Sequence, residues 1–114
     1  MSYKNYGEVI TMVATDIEKN RFVALGTTEE RLAQAPANKG AIIGATENAV
    51  DGKGSISVAL RWVVEVVAAE AITIGQEVST NAEGKAVAYT DGVIVGVAFT
   101  AAAGDNETIS VLLK

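Results

Sequence analysis

Gly40 to Arg61 reads GAIIGATENAVDGKGSISVALR, and Gly92 to Lys114 reads GVIVGVAFTAAAGDNETISVLLK. At a spacing of 52, Gly40 meets Gly92, Ile42 meets Ile94, Ile43 meets Val95, Gly44 meets Gly96 and Gly52 meets Gly104. One extra residue in the second turn moves the spacing to 53. Ile56, Ser57, Val58, Leu60 and Arg61 then meet Ile109, Ser110, Val111, Leu113 and Lys114. Each copy is an apolar run, a polar Gly-containing connection and an alternating run that ends on a basic residue. That is the pattern of two strands and their link. Two copies are too few for a solenoid, whose units need several neighbours to bury their faces. They predict one domain built from two related β-units.

The bulk properties agree. A chain of 114 residues has the size of one domain and can bury about 65% of its unfolded surface. Hydrophobic residues make up 49%, mostly Ala, Val and Ile, and the β-branched ones favour strands. The net charge of −5 lacks the basic footprint of a nucleic-acid binder. With no cysteine there is no disulfide or thiol chemistry. With no histidine the commonest acid–base group and transition-metal ligand is missing. The first twenty residues carry Lys4, Glu8, Asp16, Glu18 and Lys19, unlike a signal peptide. Gly92 to Gly104 is uncharged but too short and too rich in Gly and Ala for a membrane span. The expectation is a soluble protein made in the cytoplasm.

Outward from the repeat, Met1 to Gly7 reads as an N-terminal arm and residues 8–114 as the single β domain. The arm holds Tyr3 and Tyr6, which combine apolar area with a hydrogen-bonding tip. Glu8 to Thr15 reads as a strand, Asp16 to Arg21 as a turn and Phe22 to Leu25 as a short strand. Thr27 and Glu30 have capping-box spacing, so Thr28 to about Ala35 is either a short helix or an irregular loop.

Within the first copy, Asp51-Gly52 is a turn dipeptide. In Ser55 to Ala69, Ile56, Val58, Leu60, Trp62, Val64 and Val66 share one face, which places Trp62 in the core. Fifteen residues exceed an ordinary strand, which predicts a break near Arg61-Trp62. The other face mixes Val63 and Val67 with charges and suits a surface covered by another sheet or subunit. Gly75 marks a turn. Asn81 to Gly84 joins a hairpin of Glu77–Thr80 with Lys85–Thr90, and Asp91-Gly92 is the next turn. Val93 to Phe99 reads as a buried strand, Ala103 to Glu107 as a turn, and Ile109, Val111 and Leu113 as one face of the last strand.

No catalytic constellation emerges. Asp51-Gly52-Lys53-Gly54-Ser55 has Glu47 where a phosphate loop needs glycine, and Gly54 where it needs Ser or Thr. A Ser-His-Asp triad is impossible without histidine. Ser55, Ser57 and Ser110 coexist with six lysines, and nothing selects a Ser-Lys pair. Asp51, Asp91, Asp105 and Glu107 stand in turns, where acidic residues are ordinary, and match no calcium loop. No metal and no cofactor is expected.

Several pieces of the chain are similar to those of tailed-bacteriophage capsid decoration proteins, also called head-stabilising or cement proteins. They are Gly44-Ala45-Thr46, Ser55 to Val67, Ala68 to Ala71, Gly75-Gln76-Glu77-Val78, Gly84-Lys85, Gly96-Val97-Ala98, Gly104-Asp105 and Val111-Leu112-Leu113. Ser79-Thr80 stands where that family often carries an aromatic. The resemblance implies a mainly β, compact β-barrel or β-tulip-like fold with at most one short helix. It implies homotrimers on the outer surface of an icosahedral virion, bound to the major capsid protein. It also implies an arm on that protein, here Tyr3, Lys4, Asn5 and Tyr6, while Val63 and Val67 become candidates for the trimer contact. Such a protein is structural, is no enzyme, and has neither nucleic acid nor membrane as partner. The rival readings are a small ligand-binding or accessory β-barrel module and a small enzyme using Ser and Lys.

Overall fold

A computed structural model describes residues 9–25, 33–34, 42–60, 62–90 and 93–113. They form ten strands: β1 Val9–Ile17, β2 Phe22–Leu25, β3 Ala33–Gln34, β4 Ile42–Thr46, β5 Val50–Ala59, β6 Val63–Val67, β7 Glu77–Thr80, β8 Ala86–Ala88, β9 Gly96–Ala98 and β10 Thr108–Leu113. No helix occurs among the described residues. The fold is mainly β, as the period-two runs predict.

Two five-stranded sheets result, ordered β1-β5-β4-β2-β3 and β6-β10-β9-β7-β8. Adding five to every label of the first order gives the second, and the registers agree too. Thr46 opposite Val58 is matched by Ala98 opposite Val111, and Ala45 opposite Ala59 by Val97 opposite Leu112. Ile10 opposite Val58 is matched by Val64 opposite Val111, and Met12 opposite Ile56 by Val66 opposite Ile109. The repeat read in the sequence covers only β4–β5 and β9–β10. The structure extends it to the whole strand set, because β1–β3 and β6–β8 keep pairing geometry without keeping letters.

The two copies share one tight constraint. A methyl group on Gly44 would meet the carbonyl oxygen of Ala59, and one on Gly96 that of Leu112. Ala59 and Leu112 are themselves equivalent. Each glycine lets its strand cross against the last strand of its own sheet, which no side chain would allow.

Burial follows the alternation. Met12, Ala14, Ile17, Val23, Val50, Ile56 and Val58 fill the first sheet's core. The second core holds Val64, Val66, Ile72, Val78, Ile109 and Val111, together with Phe22, Ala45 and Ala59 from the first half. Phe22 thus fastens one half onto the other. Its N–H donates to the Gly84 carbonyl (2.8 Å), and the Val67 N–H donates to the Asn20 carbonyl (2.9 Å).

Some expectations change. The long run does break, with β5 ending at Ala59 and β6 starting at Val63. Trp62, however, is 80% exposed rather than in the core. It lies on the crossover between sheets, where its carbonyl accepts from the Leu113 N–H; a two-residue period does not survive that corner. Asp51-Gly52 is not a turn but part of β5. Its Gly52 N–H donates to the Asp16 side chain (2.7 Å) across an irregularity between Thr15 and Ile17, so β1 runs on to Ile17. Val93 to Phe99 narrows to β9, with Val93 and Phe99 exposed. Ala33–Gln34 pair with β2 as a strand, so no helix covers them. Residues 28–32 and Asp91-Gly92 lie outside the described residues.

Two predictions follow from this packing. Gly44→Ala and Gly96→Ala should each lower stability by at least about 1–3 kcal/mol in urea unfolding, the range for overpacked sites. Gly104→Ala, whose added methyl meets open space, should change it little. Among the described residues the Ser79 hydroxyl is buried without a hydrogen-bond partner, and its counterpart in the first half is Ala24. Ser79→Ala should therefore raise stability by about 1 kcal/mol, the lower end of the penalty for a buried unpaired polar group; a loss of stability in the same titration would show that the hydroxyl is satisfied.

Candidate interaction surface

The reactive side chains are mostly engaged in holding loops. The Thr46 hydroxyl donates to the Glu18 carbonyl (2.7 Å) and accepts from the Arg21 N–H (3.1 Å). Lys85 reaches Asn106 at 2.9 Å and Asp105 at 3.7 Å, tying the Asn81–Gly84 turn to the Ala103–Glu107 turn. Two further loop ties are equivalent between the halves. Asn48 accepts from the Ser57 N–H (2.8 Å), and Thr100 accepts from the Ser110 N–H (2.9 Å). Different side chains thus perform one structural task. Among the described residues, no group of three or more acidic, His or Cys side chains is placed to hold a metal.

A groove of about 530 Å³ runs along the seam between the halves. Lys19, Thr46 and Glu47 line it from the first half, and Val63, Glu65 and Ser110 from the second.

The predicted contact residues fare differently. Tyr3, Lys4, Asn5 and Tyr6 lie outside the described residues. Val63 and Val67 stand half-buried on the outward face of β6. Val63 faces Leu112 across the ladder, and Leu112 faces Val97 on its other side, so the structure brings three apolar side chains into one outward row. Val67 instead faces Thr108 and gives its N–H to the first half. The sequence reading missed the exposed Ile74 and Phe99. Each adjoins a run that looks buried by composition, and only the turn geometry turns it outward.

Residues 4–113 match the phage cement protein family. The chain belongs to that family. The family supports a structural role associated with the phage capsid. No curated protein matches the chain. Among solved structures, the head fiber gp8.5 N base of bacteriophage phi29 is similar with a TM-score of 0.78. The match spans 94% of this chain and 95% of that one at 16% identity. At that identity the likeness is one of fold.

Because Trp62 is solvent-exposed, Trp62→Ala in this cement protein should cost less than about 1 kcal/mol, as surface substitutions do. Chemical unfolding of the variant gives the number directly, and a loss of the about 3–5 kcal/mol typical of a core aromatic would place the indole inside.

Proposed function

We propose that this protein decorates and stabilises an icosahedral phage capsid by binding the major capsid protein as a homotrimer. The observation that carries the reading is the family match over residues 4–113. A β-domain with large apolar side chains turned outward supports it, since such residues gain free energy only when covered. The protein acts without catalysis or cofactor, is made in the host cytoplasm and ends on the outer face of the virion. Residues 8–114 form its one β domain, with a β-tulip-like arrangement. Residues 1–7 form the arm, whose Tyr3, Lys4, Asn5 and Tyr6 fasten to the capsid protein. Val63 and Val67 belong to the surface between copies. A symmetric trimer suits a lattice of weak sites, because three linked contacts multiply.

Removing residues 1–7 should leave the melting temperature nearly unchanged. It should lower occupancy on undecorated capsids at least about tenfold in a sedimentation assay, since about 1.4 kcal/mol per arm is a factor of ten. Equal binding by the truncated and full-length proteins would move the attachment to the Glu47–Gly54 or Ala103–Glu107 segments. No binding by the full-length protein to any shell would leave the accessory-module reading.

A further inference from the structure

The duplication makes it possible to ask what each half lacks that the other has. Three backbone hydrogen bonds fix one loop tip in both halves. In the first, the Asn20 N–H donates to the Thr46 carbonyl (3.0 Å), the Thr46 N–H to the Arg21 carbonyl (2.9 Å) and the Glu47 N–H to the Ser57 carbonyl (2.8 Å). In the second, the Gly75 N–H donates to the Ala98 carbonyl (2.8 Å), the Ala98 N–H to the Gln76 carbonyl (2.9 Å) and the Phe99 N–H to the Ser110 carbonyl (2.8 Å). Asn20 and Gly75 both have positive φ, 58° and 86°. Lys19 therefore corresponds to Ile74, and Glu47 to Phe99.

The first tip is used inside the chain. It seats on the outer edge of β6, with the Asn20 carbonyl accepting from the Val67 N–H, and the seam groove carries Lys19, Glu47, Val63 and Glu65. The counterpart of β6 is β1, on which Val9, Thr11 and Val13 correspond to Val63, Glu65 and Val67. Among the described residues, no Val13 N–H to Gly75 carbonyl bond repeats the Val67–Asn20 bond. On the two surfaces that would make that contact, Ile74 is 71% and Phe99 61% exposed, and Val9 is 41% and Val13 37% exposed.

The substitutions run the same way on both sides. The covered seam has Lys19 and Glu47 on its tip and Glu65 on its strand. The second tip has Ile74 and Phe99, and β1 has Thr11 between Val9 and Val13. Every charge of the internal seam is replaced by an uncharged group where the seam would recur. Exposed apolar groups at two complementary sites on one molecule favour a head-to-tail contact, which closes into a ring when the rotation permits.

We propose that this surface is filled by a second copy of the chain: the Ile74–Phe99 tip of one copy seats on β1 of the next, and the Gly75 carbonyl accepts the Val13 N–H. The contact repeats between copies the seam that joins the halves within one. It rests on the trimer reading and specifies its geometry. It adds Val9 and Val13 as an apolar strand pair to the surface between copies.

The test grafts the first half's own residues onto the second. Ile74→Lys with Phe99→Glu installs side chains that the equivalent backbone already carries, so the fold should persist, checked by circular dichroism and the melting temperature. Light scattering should show the oligomer reduced to monomer at concentrations where wild type stays assembled. Val9→Lys with Val13→Lys should do the same. Because the chain has no cysteine, Val13→Cys with Ile74→Cys gives an independent readout: oxidation should link copies into covalent multimers. An oligomer unchanged by the first two variants, or no cross-linking in an assembled sample, would overturn the contact. Wild-type protein that is monomeric yet sediments with capsids would also overturn it, while leaving the decoration reading intact.

Discussion

The fold depends on a crossing made twice. At Gly44 and again at Gly96, one strand lies so close to the carbonyl of Ala59 or Leu112 that only hydrogen fits between them. The registers of β4 with β5 and of β9 with β10 are the same because the same crossing sets them. The buried rows, Ile56 and Val58 in one half and Ile109 and Val111 in the other, then point inward by the pleat alone.

Two such units still need a seam, and it is asymmetric. Phe22 crosses into the second core, while the first tip leans on β6. Burying one phenylalanine side chain is worth about 1.5–3 kcal/mol, and the two backbone bonds at Asn20 and Phe22 add direction to an otherwise non-directional term. The seam takes the first tip and leaves the second one outside. A duplicated chain joined in this way has a used and an unused copy of each surface, and selection can make the unused copy apolar without disturbing the fold.

This separation also explains the division of labour for a cement protein. The loop ties at Thr46, Asn48, Thr100 and Lys85 stabilise the turns, so these polar side chains have structural partners. The large apolar side chains turned outward include Trp62, Ile74 and Phe99, and Val63, Leu112 and Val97 form one outward row. Scattered apolar residues are ordinary on any surface. A pair on one tip whose counterparts are Lys19 and Glu47 is a directed difference.

The sequence by itself determined the β class, the β4–β5 and β9–β10 repeat, the Asn81–Gly84 hairpin and a break near Arg61-Trp62, because these depend on period and on local turn chemistry. It showed the family likeness through the same glycine-bounded runs. It misplaced Trp62, because an alternating pattern carries no mark of the corner at which a chain changes sheets. It took Asp51-Gly52 for a turn, because a left-handed glycine looks alike in a turn and opposite a strand irregularity. The kinship of β1–β3 with β6–β8, and with it the pairing of Lys19 with Ile74 and Glu47 with Phe99, was decided only by the tertiary structure. Backbone hydrogen bonds and registers are indifferent to side-chain identity, so they kept a duplication that the letters had lost.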